Sequence, residues 1–143
     1  METEKISTEK ISRDVAEVEF ERFTRAWDID VNTDNMSGED KESFDQQKGR
    51  IVTQIIAGHA TVDETGDIHY TLKYPRGDTA TLHFRVPRGT AYTSMDSFKD
   101  RQNIGKINAF MGAMTKQAPK FFSNMDGRDV KFCYGVAILF LAS

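Results

Sequence analysis

The sequence is poor in the patterns that announce chemistry most directly. One cysteine, Cys133, stands among 143 residues, which excludes an internal disulfide and a thiolate zinc cage. No basic run stands out and the formal net charge is −3, so a phosphate-driven nucleic-acid binder lacks its electrostatic footprint. The longest apolar run, Val136 to Ala142, is far too short to span a bilayer. The first residues hold no apolar signal segment, and the cytoplasm is the compartment expected. Neither Gly-x-x-x-x-Gly-Lys-Ser/Thr nor Gly-x-Gly-x-x-Gly occurs, which leaves no glycine cradle for a phosphate.

What is present fits one small α+β domain. A chain of this length suits a single compact unit with a proper core. Apolar residues at 38% and charged residues at 29% make it somewhat polar, which is consistent with a loosely ordered portion. That portion is assigned to residues 1–13. There Thr3-Glu4-Lys5-Ile6-Ser7 repeats at Thr8 to Ser12, with a five-residue period that matches neither a helix face nor a strand face. A mobile polar arm is therefore expected before a domain over 14–143.

Within the domain, Asp14 to Trp27 carries both helical and alternating features. Its length favours a helix through Val15, Val18, Phe23, Ala26 and Trp27. Asp28 to Met36 is a loop. Ser37 and Asp40 form a weak capping pattern for a helix with Phe44, Ile51, Val52, Ile55 and Ile56 on one stripe, and Gly58 is its stop. Alternation over Ala60–Val62, Ile68–Tyr74 and Ala80–Val86 predicts a three-stranded antiparallel meander with one buried face. The Glu64-Thr65-Gly66 turn sets Val62 opposite Ile68, and a turn at Pro75–Asp78 sets Leu72 opposite Leu82. A helix from near Ser94 runs through Phe98, Ile104, Ile107, Phe110, Met111 and Met114, with Pro119 beyond its end. A last helix begins at Asp126 or Asp129, with Val130, Cys133, Val136, Ala137 and Phe140 on its stripe. About four helices are expected, two of them C-terminal.

Candidate chemistry is sparse. In this register His59 and His83 flank Thr71 on the polar sheet face and His69 shares that face. The geometry admits a three-histidine zinc site, but no close His-x-His spacing exists, and solvated histidines are the reading adopted. Cys133 falls in an apolar stripe and is expected to be a buried, inert thiol. Asp28 to Asp34 opens like a calcium loop but lacks the glycine and glutamate such a loop needs. Tyr70, Tyr74 and Phe84 could stack bases, but they fall on the face expected to be buried. The chain is therefore expected to bind other proteins and not to be an enzyme. No catalytic, cofactor-binding or metal residue is assigned, and nucleic acid and membrane are disfavoured as partners.

The stretch from about Lys48 to Ala142 resembles bacteriophage tail assembly chaperones. The features that carry the likeness are Ile55-Ile56-Ala57-Gly58 at a helix end, the Asp63-Glu64-Thr65-Gly66 turn, and the strands Ile68 to Tyr74 and Ala80 to Pro87. The helix through Phe110 and Met114 follows, then Phe121-Phe122-Ser123-Asn124-Met125-Asp126-Gly127-Arg128-Asp129 and the closing Ile138-Leu139-Phe140-Leu141. The resemblance implies binding to tape-measure and tail-tube proteins during tail assembly in a bacterial host, with homo-oligomers a further possibility. The expected partner surface is the C-terminal helices, through Phe110, Met114, Phe121, Phe122, Met125, Phe132, Val136, Leu139 and Phe140. The competing readings are a minor virion or head-tail completion protein and a small nucleic-acid-binding regulator.

Overall fold

The first helix, α1 (Arg13–Ala26), opens where the Ser12 side chain accepts the Val15 N–H, relieving an otherwise orphaned donor. A computed structural model describes residues 11–96 and 103–142 of the chain. The expected arm lies outside the described residues as far as residue 10. The apolar stripe of α1 is Ala16, Phe20, Phe23 and Trp27, at spacings of four, three and four. Val15 and Val18, expected on that stripe, face outward instead. The four aromatic and small residues pack one continuous face, whereas Val15 and Val18 lie on the opposite side of the same turns.

A 3₁₀ turn at Thr33–Asn35 leads to α2 (Gly38–Ala57). Ser37 caps it through the Asp40 N–H, and Gly58 ends it in the left-handed region at φ 87°, which glycine adopts without a Cβ penalty. Phe44, Ile51, Val52 and Ile55 are buried along it. Three short strands follow, β1 (Ala60–Val62), β2 (Ile68–Thr71) and β3 (Thr81–Phe84). They form one antiparallel sheet in the order β1-β2-β3. Helices α3 (Gly89–Thr93), α4 (Asn103–Thr115), α5 (Pro119–Asn124) and α6 (Gly127–Leu141) complete the α+β fold.

The described residues thus hold six α-helices, against the four expected. The two additions are short. Gly89–Thr93 forms one turn directly after the sheet, and Pro119 sits at the start of α5, where its missing N–H costs nothing. Ile104, expected on the apolar face of α4, is 62% exposed, and Phe98 lies outside the described residues.

The inner sheet face packs on α6. Tyr70 of β2 stacks on Phe132 with ring centroids 4.1 Å apart and planes 7° from parallel, while Phe84 of β3 makes a T-shaped contact with the same ring. Tyr70, Phe84 and Phe132 are all essentially solvent-free. Truncating one such aromatic costs about 3–5 kcal/mol, so this triple contact seats the sheet on the last helix. Helix α6 also packs on α2 and α4, which explains why so few of its residues are polar.

One register differs from expectation. β1 and β2 pair Val62 with Ile68 as expected. β2 and β3 pair Tyr70 with Leu82 and His69 with His83, and the Leu72 N–H reaches the Ala80 carbonyl. Leu72 therefore faces Ala80 and not Leu82. The slip is two residues, so each side chain within the paired strands keeps its expected face while its cross-strand neighbour changes. The cause is the loop. The chain leaves the sheet at Lys73 and Tyr74, whose N–H groups turn to the Asp129 carboxylate. Tyr74, expected on the buried face, is exposed for the same reason, and Val86, expected there too, is exposed beyond the end of β3.

Candidate functional site

The open face of the sheet holds the one concentration of imidazoles and carboxylates among the described residues that is arranged as a ligand set. Its geometry follows from the β2–β3 register. The Leu72 to Ala80 bond fixes the phase of the ladder, so His69 and His83 occupy a non-hydrogen-bonded pair, where opposing side chains approach most closely. Their ring centroids are 4.2 Å apart, tilted by 31°.

Each imidazole meets a carboxylate from the β1–β2 turn. His69 Nε2 lies 2.8 Å from Asp63 Oδ2, and His83 Nε2 lies 2.9 Å from Asp67 Oδ2. Asp63 spends its other oxygen on the turn itself. Oδ1 accepts the Thr65 N–H at 2.9 Å, the Thr65 hydroxyl at 2.6 Å and the Asp67 N–H at 3.1 Å. Desolvation alone would push the pKa of Asp63 up. The hydrogen bonds from Thr65, His69 and Asp67 outweigh it and hold the carboxyl well below the usual range.

The turn is braced from behind by α1. Arg22 donates to the Val62 carbonyl at 2.9 Å, Glu19 accepts the Val62 N–H at 3.0 Å, and the Trp27 indole donates to the Gly66 carbonyl at 3.0 Å. Gly66 has φ 92°, and a Cβ there would collide with the Ala26 side chain. The turn therefore requires glycine both for its backbone and for its fit against α1.

Asp63, His69 and His83 each offer one ligand atom, and these atoms all lie within 4.8 Å of one another. His59, considered with them in the sequence, stands apart: it pairs with Thr71, and its Nδ1 lies 3.3 Å from the Thr71 carbonyl. The partner of His83 is His69, not Thr71, because of the two-residue slip. In the sequence Asp63 reads only as a turn residue, and Asp67 is not singled out there. The signal that could have found them is their spacing around Gly66 together with the correct register.

A second polar cluster is buried. Asp129 on α6 is fully enclosed. It accepts the Tyr70 hydroxyl at 2.6 Å and the Lys73 N–H at 2.9 Å on one oxygen, and the Tyr74 N–H at 2.9 Å on the other. Burial, reinforced by this hydrogen bond and the carboxylate charge, pushes the Tyr70 phenol above its ordinary range, so it stays a donor. Beside it, Asp126 caps α6 through the Arg128 N–H and binds the Arg128 and Arg76 guanidinium groups. The Arg128 guanidinium lies 3.5 Å from the Tyr74 ring centroid, which covers the one exposed aromatic face of this loop. With Tyr70 and Phe84 in the core, no row of sheet aromatics is open for base stacking.

The residues expected to meet a partner divide into two groups. Phe110, Met114, Phe122, Phe132, Val136 and Leu139 are buried in the chain's own core and offer no surface. The apolar stripe that marked them is used internally, against the sheet and α2. Phe121, Met125 and Phe140 are only partly buried. Phe121 and Met125 line a cleft of about 210 Å³ with Leu72 and Tyr74, rimmed by Arg76, Thr79, Asn124 and Asp126. Cys133 is enclosed, and burial pushes its thiol far above its usual range, as expected for an inert cysteine. No described helix is long and apolar enough to cross a membrane. Comparison of the chain with protein-family models, with curated proteins and with solved structures finds no match.

Proposed function

We propose that this chain is a protein-binding assembly factor of the bacteriophage tail assembly chaperone type, acting on tape-measure and tail-tube proteins without catalysing a reaction. The observation that supports this reading is the cleft between the β2–β3 loop and α5. Its floor is apolar, from Leu72, Tyr74, Phe121 and Met125, and its rim carries Arg76 and Asp126. An apolar centre within a polar rim is the anatomy of a protein interface, and a pocket of this size takes one anchoring side chain. Methionine suits such a surface because its unbranched thioether adapts to different shapes. The sequence likeness from about Lys48 to Ala142 includes both the β2–β3 loop and α5.

Co-expression of the full chain with tape-measure and tail-tube proteins, followed by co-purification, tests the reading. Retention of either partner is expected. Phe121→Glu is expected to cut retention at least about tenfold by placing a charge in the apolar floor, while circular dichroism stays unchanged. A wild-type chain that retains neither partner removes the proposal. Mass spectrometry of finished particles separates a chaperone, which is absent from them, from a minor virion component.

A further inference from the structure

We propose that Asp63, His69 and His83 form a binding site for a divalent d-block cation of the zinc type on the open face of the sheet. The ligand set has the right chemistry. Two imidazoles and one carboxylate suit Zn²⁺, whereas Ca²⁺ and Mg²⁺ prefer all-oxygen shells. The three ligand atoms already lie within 4.8 Å of one another. Two ligands held about 2.0–2.1 Å from a tetrahedral ion sit roughly 3.3 Å apart. The 2.8 Å separation of His69 Nε2 and Asp63 Oδ2 must therefore open slightly. Both side chains are 36% exposed, so the rearrangement is confined to side-chain torsions.

Two features distinguish this cluster from a pair of unrelated surface hydrogen bonds. Asp63 Oδ1 is committed to three donors in the turn, which aims Oδ2 at the imidazoles. Carboxylates fixed in this way are what orients a metal site in advance of the ion. The turn itself is anchored to α1 through Arg22, Glu19 and Trp27, so the carboxylates of Asp63 and Asp67 are carried on a rigid base. Asp67, 2.9 Å from His83 Nε2, is placed to hold the His83 ring. A bound ion would join the β1–β2 turn to both β2 and β3, stapling all three strands. This assignment is independent of the partner reading above.

The experiment uses the full, untagged chain, stripped with a chelator and followed by thermal unfolding with and without Zn²⁺. At about a hundredfold excess over its dissociation constant, the ion is expected to raise the midpoint by roughly 5 °C or more. Mg²⁺ and Ca²⁺ are expected to leave it unchanged. His69→Gln and His83→Gln should each abolish the rise, and His59→Gln should keep it. Co²⁺ should give the intense visible bands of a four-coordinate ion. Should either glutamine variant fail to fold, imidazole NMR signals of the wild-type chain decide the matter. Zn²⁺ must shift the His69 and His83 rings and leave His59 in place. No rise with Zn²⁺ in the wild-type chain, a rise that survives loss of His69 and His83, or a ring response centred on His59 overturns the proposal.

Discussion

Strand β2 carries a carboxylate partner on each of its faces, and the two are built differently. On the inner face Tyr70 donates to Asp129, which is fully enclosed and receives two further backbone N–H groups. On the outer face His69 meets Asp63, which is partly exposed and commits only one of its oxygens to the turn. Buried Asp129 has donors on both oxygens, and each of those donors belongs to the fold. Asp63 has one oxygen directed at a group that changes its protonation and binds metals. The contrast separates a carboxylate that closes a structure from one that remains able to take a ligand. Saturation of the oxygens, more than the presence of the residue type, distinguishes the two.

The largest expected effect lies on the enclosed side. Asp129→Ala strands the buried Tyr70 hydroxyl and takes the acceptor from the part-buried Lys73 and Tyr74 N–H groups. The expected loss is about 3–5 kcal/mol of unfolding free energy, read from urea denaturation. Tyr70→Phe removes one donor and keeps the stacked ring, with an expected loss of about 1–3 kcal/mol. On the open side, Asp63→Asn is expected to cost the metal-free chain no more than about 1 kcal/mol, since the group is solvated and screened. The same change should remove the thermal response to Zn²⁺. A cost for Asp63→Asn as large as that of Asp129→Ala would collapse the distinction between the two sites.

The smallest effect concerns acid. Asp126 is held well below the usual carboxylate range, chiefly by the Arg128 side chain, with the Arg128 N–H and Arg76 adding to it. Its folded value therefore lies below its unfolded value of about 3.9. Between the two, the unfolded chain takes up the proton first, so this contribution is full above about pH 3.9 and is lost as pH falls through the folded value. Asp126→Asn should flatten the acid limb of the melting temperature against pH. The change is modest, because Arg128 and Arg76 are 61% and 65% exposed.

Much of the fold was legible because it depends on local rules. Ser37 and Gly58 bound α2 where capping and left-handed preferences put them. The α+β class, the β1–β2 hairpin and the burial of Cys133 follow from alternation and stripe. The stripe of α1 was misplaced because valines at 15 and 18 compete with the aromatic series at 20, 23 and 27, and only packing against α2 selects between them. The apolar C-terminal stripe was legible as apolar, but not as internal. Six of the nine residues assigned to a partner are consumed by the core, since hydrophobicity does not say whether its complement lies in the same chain. The site was legible only in part. His69 and His83 fall on one face by alternation, while Asp63 reads as turn and nothing local marks Asp67.

By itself, the sequence determined which face of each strand turns inward, because side chains alternate with period two and the apolar set is unambiguous. Only the tertiary structure decided which residues stand opposite one another between β2 and β3. A slip of two residues leaves every side chain on its own face, so burial of the apolar set alone does not oppose it strongly. The choice is made by Asp129, far along the chain, which draws the Lys73 and Tyr74 N–H groups out of the ladder. That long-range contact accompanies the register that sets His69 against His83, and with it the ligand set on the open face.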